Sequence, residues 1–457
     1  MRLASRRILA VLRAPQALPV AGFLAVILVG SALLWAPWSH QADAVGYLDA
    51  LFTSTSAVCV TGLVTVNTAT DYTVAGQVVI LLLIQVGGLG VMTYAAMAFT
   101  LLGRRMSLRA QAALRDSLFQ HDAARDFKRR VRQIVGMTFA LEAVGALVLF
   151  FALLPGSPNG SAAWSAIFHS ISSFCNAGFS IFTNNLVDVR TNHLFLAVAA
   201  ILMLLGGLGF IVLHELFGKT GRLLRRRMQP EPRRFTLHTS IVLKTSLVLA
   251  IGGAAAMLLF GMTSGENTWS QRIAGALFQS ISARTCGFNT IDVGALPLAS
   301  LLVLVALMFV GGSPASCAGG VKTTSLVVML ARLRSYPTGH EDARLMGHSL
   351  NRDLVRSAEL LFALAVIWNL LGLFVLSHSE LGRPGVELQH LLFEQISAFG
   401  TVGLSTASTT AELSAAGKIW IIVTMYVGRL GPLTLVSLAV YRKPTRVGFP
   451  EGKVMIG

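Results

Sequence analysis

Long apolar runs, broken at intervals by short polar ones, set the pattern of this 457-residue chain. Eight runs stand out, at about 17–37, 77–102, 134–154, 193–217, 240–262, 296–331, 356–378 and 417–441. A helix needs roughly 20 mostly apolar residues to cross a bilayer, so each run predicts a membrane helix. The sixth is too long for one smooth helix and carries "GGSPASCAGG" at 311–320 in its middle. The breaks after even-numbered runs are basic, at 104–132, 219–234 and 332–356, as are both termini. The breaks inside each pair of runs are poor in cations. The first enters with Asp43 and Asp49 and no Lys or Arg, the second opens with the uncharged "PGSPNGSAAW", and the entries of the other two hold one arginine each, Arg272 and Arg383. Basic loops stay on the cytoplasmic side, so both termini are expected there and the breaks inside each pair are expected outside.

These external breaks are partly apolar, yet too short to cross and return as full helices. Each predicts a short helix that dips inward and comes back as extended chain, which is tolerated only where protein buries it or water lines it. Side by side they repeat: "LFTSTSAVCVTGL", "IFHSISSFCNAGF", "LFQSISARTCGFN" and "LFEQISAFGTVGL". Each has a Phe (Phe52, Phe168, Phe278, Phe393), a Ser four residues on (Ser56, Ser172, Ser282, Ser397), then a Gly (Gly62, Gly178, Gly287, Gly403). Internal symmetry of this kind marks transport folds. It divides the chain into four units, 1–103, 104–220, 221–334 and 335–457, the third containing the break at 311–320. The fold class expected is an all-α integral membrane protein, with four helix–pore loop–helix units around a central ion pore.

Composition agrees. Hydrophobic residues make up 54% of the chain and charged ones 13%, about half the usual charged share. A net charge of +16 would suit nucleic acid, but the cations sit between apolar runs and no base-stacking elements accompany them, which argues against that partner. The four cysteines, Cys59, Cys175, Cys286 and Cys317, form no zinc-ligand pattern. Three of them sit beside the repeated glycines, where packing behind the loops is favoured over a metal trap. The basic N-terminus followed by an apolar run reads as a retained first helix, because that run is too long for a secretory signal.

The repeated glycine suggests the chemistry. A cation leaving water needs its hydration shell replaced, and backbone carbonyls turned toward one axis can do this. Glycine permits the dihedrals that aim successive carbonyls the same way, and the C-terminal end of a preceding helix favours a cation. The expected filter is therefore Val60, Thr61 and Gly62; Asn176, Ala177 and Gly178; Thr285, Cys286 and Gly287; and Thr401, Val402 and Gly403. "TVG" in the fourth copy matches most of the TVGYG filter of potassium channels. The first three copies lack it, and the third is one residue shorter between Phe and Gly. That asymmetry is consistent with weaker potassium selection and some sodium passage. K+ at the filter is the only metal expected.

Below the filter, the small and hydroxyl residues of 311–320 suit an unwound segment that moves across a pore. The gate candidates there are Gly311, Gly312, Ser313, Ser316, Gly319 and Gly320; a simple kink is the bland alternative. Arg429 lies deep in the eighth run, where a charge is costly and functional by default. It either holds the break shut through its carbonyls, or places a positive charge that limits cation flow, or snorkels to the cytoplasmic face. Lys322 is expected to snorkel. Two other function classes compete. A Na+- or H+-coupled carrier would bury carboxylates; Glu142, Glu215, Glu359 and Glu394 are the candidates, the first three placed near basic loops or run ends. An intramembrane serine protease would use Ser313 or Ser316 with His214, but no matching base motif accompanies those serines, and a protease needs no fourfold repeat.

With "VTGL", "NAGF", "RTCGFNT" and "TVGLST" in the four loops, the chain resembles the Trk/Ktr/HKT superfamily of potassium transporters. "MFVGGSPASCAGGVKTT" and "MYVGRLGPLT" are similar to signatures of its sixth and eighth spans. One run precedes the first loop, which places the resemblance nearer the KtrB-like subunits than the TrkH-like ones. The resemblance implies a channel-like potassium-translocating subunit in the plasma membrane, with no enzyme activity, closed below its filter by the broken sixth span. It further implies a homodimer in membrane lipid, seated on a cytoplasmic KtrA-like ring of nucleotide-binding RCK subunits that gates it. The nucleotide would then sit on the partner rather than on this chain, with K+ as substrate and Na+ as a modulator.

Overall fold

The computed structural model describes residues 17–41, 45–105, 123–156, 159–224, 235–261, 268–337, 342–383, 386–406 and 409–431. Both termini, the basic stretches 106–122 and 225–234, and the end of the eighth expected run at 432–441 lie outside them.

Helices α1 (Ala17–Trp35), α2 (Tyr47–Cys59) and α3 (Val74–Arg105) form a first group. A second holds α4 (Ala123–Leu153), α5 (Asn159–Cys175), α6 (His193–Leu208) and α7 (Phe210–Leu224). The third holds α8 (Leu237–Leu259), α9 (Trp269–Ala283), α10 (Leu298–Phe309) and α11 (Thr323–Ser335). The fourth holds α12 (Arg352–Glu380), α13 (Leu388–Gly400), the single turn α14 (Thr409–Glu412) and α15 (Ala415–Leu430). A two-residue hairpin, β1 (Arg344–Leu345) with β2 (His348–Ser349), joins α11 to α12 and is a small departure from an all-helical chain. Its turn uses Met346 and Gly347 at positive φ.

Polar caps mark where the helices start. Asn192 caps α6, Thr268 and Gln271 form a reciprocal capping box on α9, and Ser414 caps α15. Val131–Leu153, Leu237–Leu259 and Arg352–Glu380 are each long and apolar enough to cross a membrane. Exposed Phe139, Leu147, Leu247, Val248, Ile367 and Phe374 line their outer faces, as expected where the solvent is lipid.

The fourth expected run is not one straight helix. It bends by 108° between α6 and α7 at Gly209, whose φ is +86°. The sixth is broken, as its length requires: α10 stops at Phe309 and α11 begins at Thr323.

In each group a short helix (α2, α5, α9 or α13) packs between the helix before it and a helix after it. Between groups, α3 meets α4 and α5, α6 meets α8 and α9, α10 meets α13, and α15 returns to α2. The chain therefore closes on itself. An ion pair between Lys418 and Asp49, at 2.9 Å, ties α15 to α2 at that closure. The short helices are pinned by a second recurring hydroxyl, two residues before the repeated Ser. Ser54, Ser170 and Ser280 donate to the carbonyls of Ile27, Glu142 and Ala250 on the neighbouring long helices, at 2.7, 2.7 and 2.9 Å. In the fourth group Gln395 takes that place and accepts from Trp420 Nε1 at 2.9 Å.

Packing is close where α6 passes the end of α5. A Cβ on Gly206 would stand 1.8 Å from the Phe174 carbonyl oxygen. Backbone must shift to accept it, and overpacking of this kind costs about 1–3 kcal/mol. Gly206→Ala is expected to lower the thermal unfolding midpoint in detergent. Gly252→Ala, on α8 with nothing within 4 Å, is the matched control and should leave the midpoint unchanged.

Candidate functional site

The four short helices end in one local design. In α2, Val60 turns left-handed at φ +55°, Thr61 N–H donates to the Ser56 carbonyl at 2.8 Å, and Gly62 N–H donates to Ser56 Oγ at 3.0 Å. In α13, Thr401 has φ +48°, Val402 N–H donates to the Ser397 carbonyl at 2.9 Å, and Gly403 N–H donates to Ser397 Oγ at 3.1 Å. In α5, Asn176 has φ +59° and Ala177 N–H donates to the Ser172 carbonyl at 2.7 Å, while Ser172 Oγ donates to the Phe179 carbonyl at 2.8 Å. The repeated serine therefore folds the loop back over the helix end, which is why it recurs.

The third loop shows what its missing residue costs. The left-handed residue of the other three is absent: Arg284 stays in the right-handed helical region at φ −72°. Cys286 N–H reaches the Ser282 carbonyl directly at 2.8 Å. The Arg284 side chain turns away from the loop and donates to Ser246 on α8.

All four glycines have positive φ: +95° at Gly62, +69° at Gly178, +84° at Gly287 and +95° at Gly403. They form a closed cycle. A Cβ on Gly62 would meet the Ala177 carbonyl oxygen at 2.5 Å, one on Gly178 the Cys286 oxygen at 2.1 Å, one on Gly287 the Val402 oxygen at 2.1 Å, and one on Gly403 the Thr61 oxygen at 2.2 Å. The residue before each glycine thus presents its carbonyl at the next loop. A cavity of about 630 Å³ opens beside Gly62, Gly178 and Gly403. Its wall includes Asn67, Ser180, Asn185, Asn289 and Ser405; among the described residues that line it, Asp292 is the one carboxylate and there is no Lys or Arg. The amide, hydroxyl and carboxylate oxygens within this partly apolar wall suit a cation.

The break at 311–320 lies against these loops. Its base is closed by Gly311 N–H to the Val321 carbonyl at 2.9 Å and Thr323 N–H to the Gly312 carbonyl at 3.1 Å. A Cβ on Gly319 would stand 2.3 Å from Thr401 Oγ1, so the break touches the fourth loop. It also docks on the bend between α6 and α7. Ser313 N–H donates to the Gly207 carbonyl at 3.0 Å, and Phe210 N–H, an orphan donor at the start of α7, donates to the Ala315 carbonyl at 3.0 Å. Two cations bond its carbonyls, Arg429 from α15 and Lys322, the residue before α11. Arg429, 5% exposed, donates NH1 to the Cys317 carbonyl and NH2 to the Gly87 carbonyl of α3, the latter at 2.9 Å. Lys322 does not snorkel: its ammonium donates to the Ala318 and Gly319 carbonyls. Carbonyls freed by an unwound segment are better partners for it than distant water. Lys322→Met is expected to raise ion flux several-fold, less than loss of Arg429, since a charged hydrogen bond is worth roughly 1.5–3 kcal/mol; flux in proteoliposomes checks it.

The serines of the break hydrogen-bond within it. Ser316 Oγ donates to the Ser313 carbonyl at 2.6 Å, Ser313 Oγ lies 3.3 Å from Thr323 Oγ1, and His214 is exposed and stacked on Phe210. All four cysteines are buried and free, and no cluster of three metal ligands occurs among the described residues. The carboxylates need one correction. Glu142 is not near a helix end; it is buried within α4, where Gln85 Nε2 donates to it at 3.1 Å. Glu394 is fully buried on α13 and accepts from Ser405 and, at 2.7 Å, from Thr410. Glu215 accepts from Thr236 and Thr239, and Glu359 pairs with Arg332 at 3.7 Å. Sequence reasoning missed the bend at Gly209 and the carbonyl contacts of Lys322. The "GGLG" at 206–209 was the available signal for the first.

The comparisons agree with this architecture. The family model described as TrkH, a cation transport protein, matches residues 20–446. The potassium/sodium uptake protein NtpJ of Enterococcus hirae is 34% identical over 450 residues, which is 97% of each chain. The Ktr system potassium uptake protein B of Bacillus subtilis is also 34% identical over 450 residues, 97% of this chain and 96% of that protein. The crystal structure of the potassium transporter TrkH from Vibrio parahaemolyticus superposes with a TM-score of 0.68 at 19% identity, covering 92% of this chain and 85% of that one, a likeness of fold. These are ion transporters, which removes the protease reading. A helical membrane protein, this chain belongs to the TrkH family of cation transport proteins.

Proposed function

We propose that this chain is the potassium-translocating membrane subunit of an uptake system, channel-like and driven by the membrane potential. The observation that carries the reading is the closed cycle of four glycines, each facing the carbonyl before the next. In this reading the groups are four M1–P–M2 units, bounded at 103, 220 and 334, around one pore. Val60, Thr61, Gly62, Asn176, Ala177, Gly178, Thr285, Cys286, Gly287, Thr401, Val402 and Gly403 replace the hydration shell of K+. Carbonyls cost no net charge, so an ion binds there without being trapped.

Gly311, Gly312, Ser313, Ser316, Gly319 and Gly320 form the gate, with Arg429 as its latch. In this reading the subunit is a homodimer in the plasma membrane, termini cytoplasmic, gated by a nucleotide-binding RCK ring beneath; the "Ktr system" in the names of two relatives supports an uptake system with partner subunits and nothing finer. Na+ acts as modulator. Coupled transport is a second reading, favoured by Glu142 and Glu394, carboxylates buried among neutral donors. Potassium flux into vesicles with and without a sodium gradient separates them. Flux that follows the potential alone supports the channel; flux that requires the gradient supports the carrier.

A further inference from the structure

A second cavity, also of about 630 Å³, is lined by no filter residue. It sits between the last turn of α11, the β1–β2 hairpin and the first turns of α12. Three arginines line it, Arg332, Arg352 and Arg356, with Tyr336 and two carboxylates, Asp342 and Glu359. The carboxylates are engaged: Asp342 accepts from Arg352 Nε at 3.1 Å, and Glu359 pairs with Arg332 at 3.7 Å. The Arg332 guanidinium also lies over the Tyr336 ring, 4.4 Å from its centre. Arg356 is exposed and has no ion-pair partner among the described residues. Among the described residues the lining carries three guanidinium groups against two carboxylates, and the exposed Arg356 points to an anion.

The surroundings narrow the kind of anion. Arg352 and Arg356 open a helix that is long and apolar enough to span a membrane, so the cavity stands at the level of lipid headgroups. On the flanking faces of the same two helices Leu333, Tyr336 and Leu360 are exposed and apolar. A free phosphate would use the guanidinium groups and leave that apolar rim wet. A phospholipid uses both, with its phosphate against the arginines and its acyl chains along the leucines. Arginine suits the headgroup because its planar fork matches phosphate oxygens.

We infer that the cleft formed by Arg332, Arg352, Arg356 and Tyr336 binds the headgroup of an anionic phospholipid. The same helix α11 begins at the base of the break, where Thr323 donates to Gly312. A lipid held at its far end thus contacts the element that frames the break.

The test is binding of phosphatidylglycerol to delipidated full-length protein in detergent, with phosphatidylcholine and inorganic phosphate as the other ligands. Wild type is expected to bind phosphatidylglycerol at least tenfold more tightly than phosphatidylcholine. The double variant Arg352→Gln/Arg356→Gln is expected to lose that preference, and Arg356→Lys, which keeps the charge, to retain most of it. Arg190→Gln, an exposed arginine outside the cleft, should change nothing. Monodisperse elution of each variant establishes folding; should the double variant elute as aggregate, Arg356→Gln alone, on an exposed side chain, is expected to cut the preference at least threefold. An undiminished preference in the folded Gln variants, or an equal loss in Arg190→Gln, overturns the assignment. So does inorganic phosphate binding as tightly as the lipid.

Discussion

Removing residues 313–318 is expected to raise K+ flux per folded protein by about ten- to a hundredfold and to free it from any cytoplasmic partner. The deletion keeps Gly311, Gly312, Gly319 and Gly320, so the bonds that close the base, Gly311 to Val321 and Thr323 to Gly312, have their residues in place. It removes the segment that docks on Gly207 and Phe210 and that Arg429 grips through the Cys317 carbonyl. Hydrogen bonds to a charged group are worth roughly 1.5–3 kcal/mol each, and about 1.4 kcal/mol is a factor of ten in an equilibrium. Arg429→Ala should act in the same direction with a smaller rise, because it leaves the segment in place and strands two buried carbonyls. The filter is untouched, so K+ preference should persist in both. Flux that stays low and partner-dependent after the deletion would mean that the gate lies elsewhere and that the glycine-rich break is only a kink.

A serine at Gly403 or Gly287 is the second large effect. At Gly403 a Cβ would stand 2.2 Å from the Thr61 carbonyl oxygen and 2.9 Å from the Gly62 Cα; at Gly287 it would stand 2.1 Å from the Val402 oxygen. Both glycines also have φ values that side chains rarely adopt. The neighbouring carbonyl must turn away, and that carbonyl is a proposed ion ligand. K+ over Na+ discrimination is expected to fall about tenfold, the equivalent of about 1.4 kcal/mol, with folding retained. Competition of Na+ against ⁸⁶Rb+ flux measures it. A well-folded variant with unchanged discrimination would separate these glycines from selectivity.

Much of this arrangement was legible in the chain because its signals are local. A run of apolar residues reports a span, and a Phe, a Ser and a Gly at fixed offsets report a helix that ends in a turn. The serine illustrates the limit: its recurrence is visible in the chain, but its two-way grip on the loop is a matter of geometry, Ser56 and Ser397 each holding both amides of the turn. The one-residue deficit of the third loop was legible too, and its consequence is the missing left-handed residue at Arg284. What stayed hidden depends on neighbours distant in sequence. Lys322 reads as a snorkelling cation until the carbonyls of Ala318 and Gly319 are placed beside it. Glu142 reads as lying near a basic loop, and packing against Gln85 of another helix buries it instead. The bend at Gly209 needs the break of the third group to accept its orphan amide, and no local pattern announces that meeting.

Conduction of K+ down its electrochemical gradient by four carbonyl-lined loops is tested most directly by ⁸⁶Rb+ uptake into proteoliposomes of the purified chain at a set membrane potential. Uptake that rises with inside-negative potential, is blocked by competing K+ well before equal Na+, and needs no sodium or proton gradient is the predicted result. Uptake absent at every potential, or present only with an imposed Na+ or H+ gradient, would contradict it.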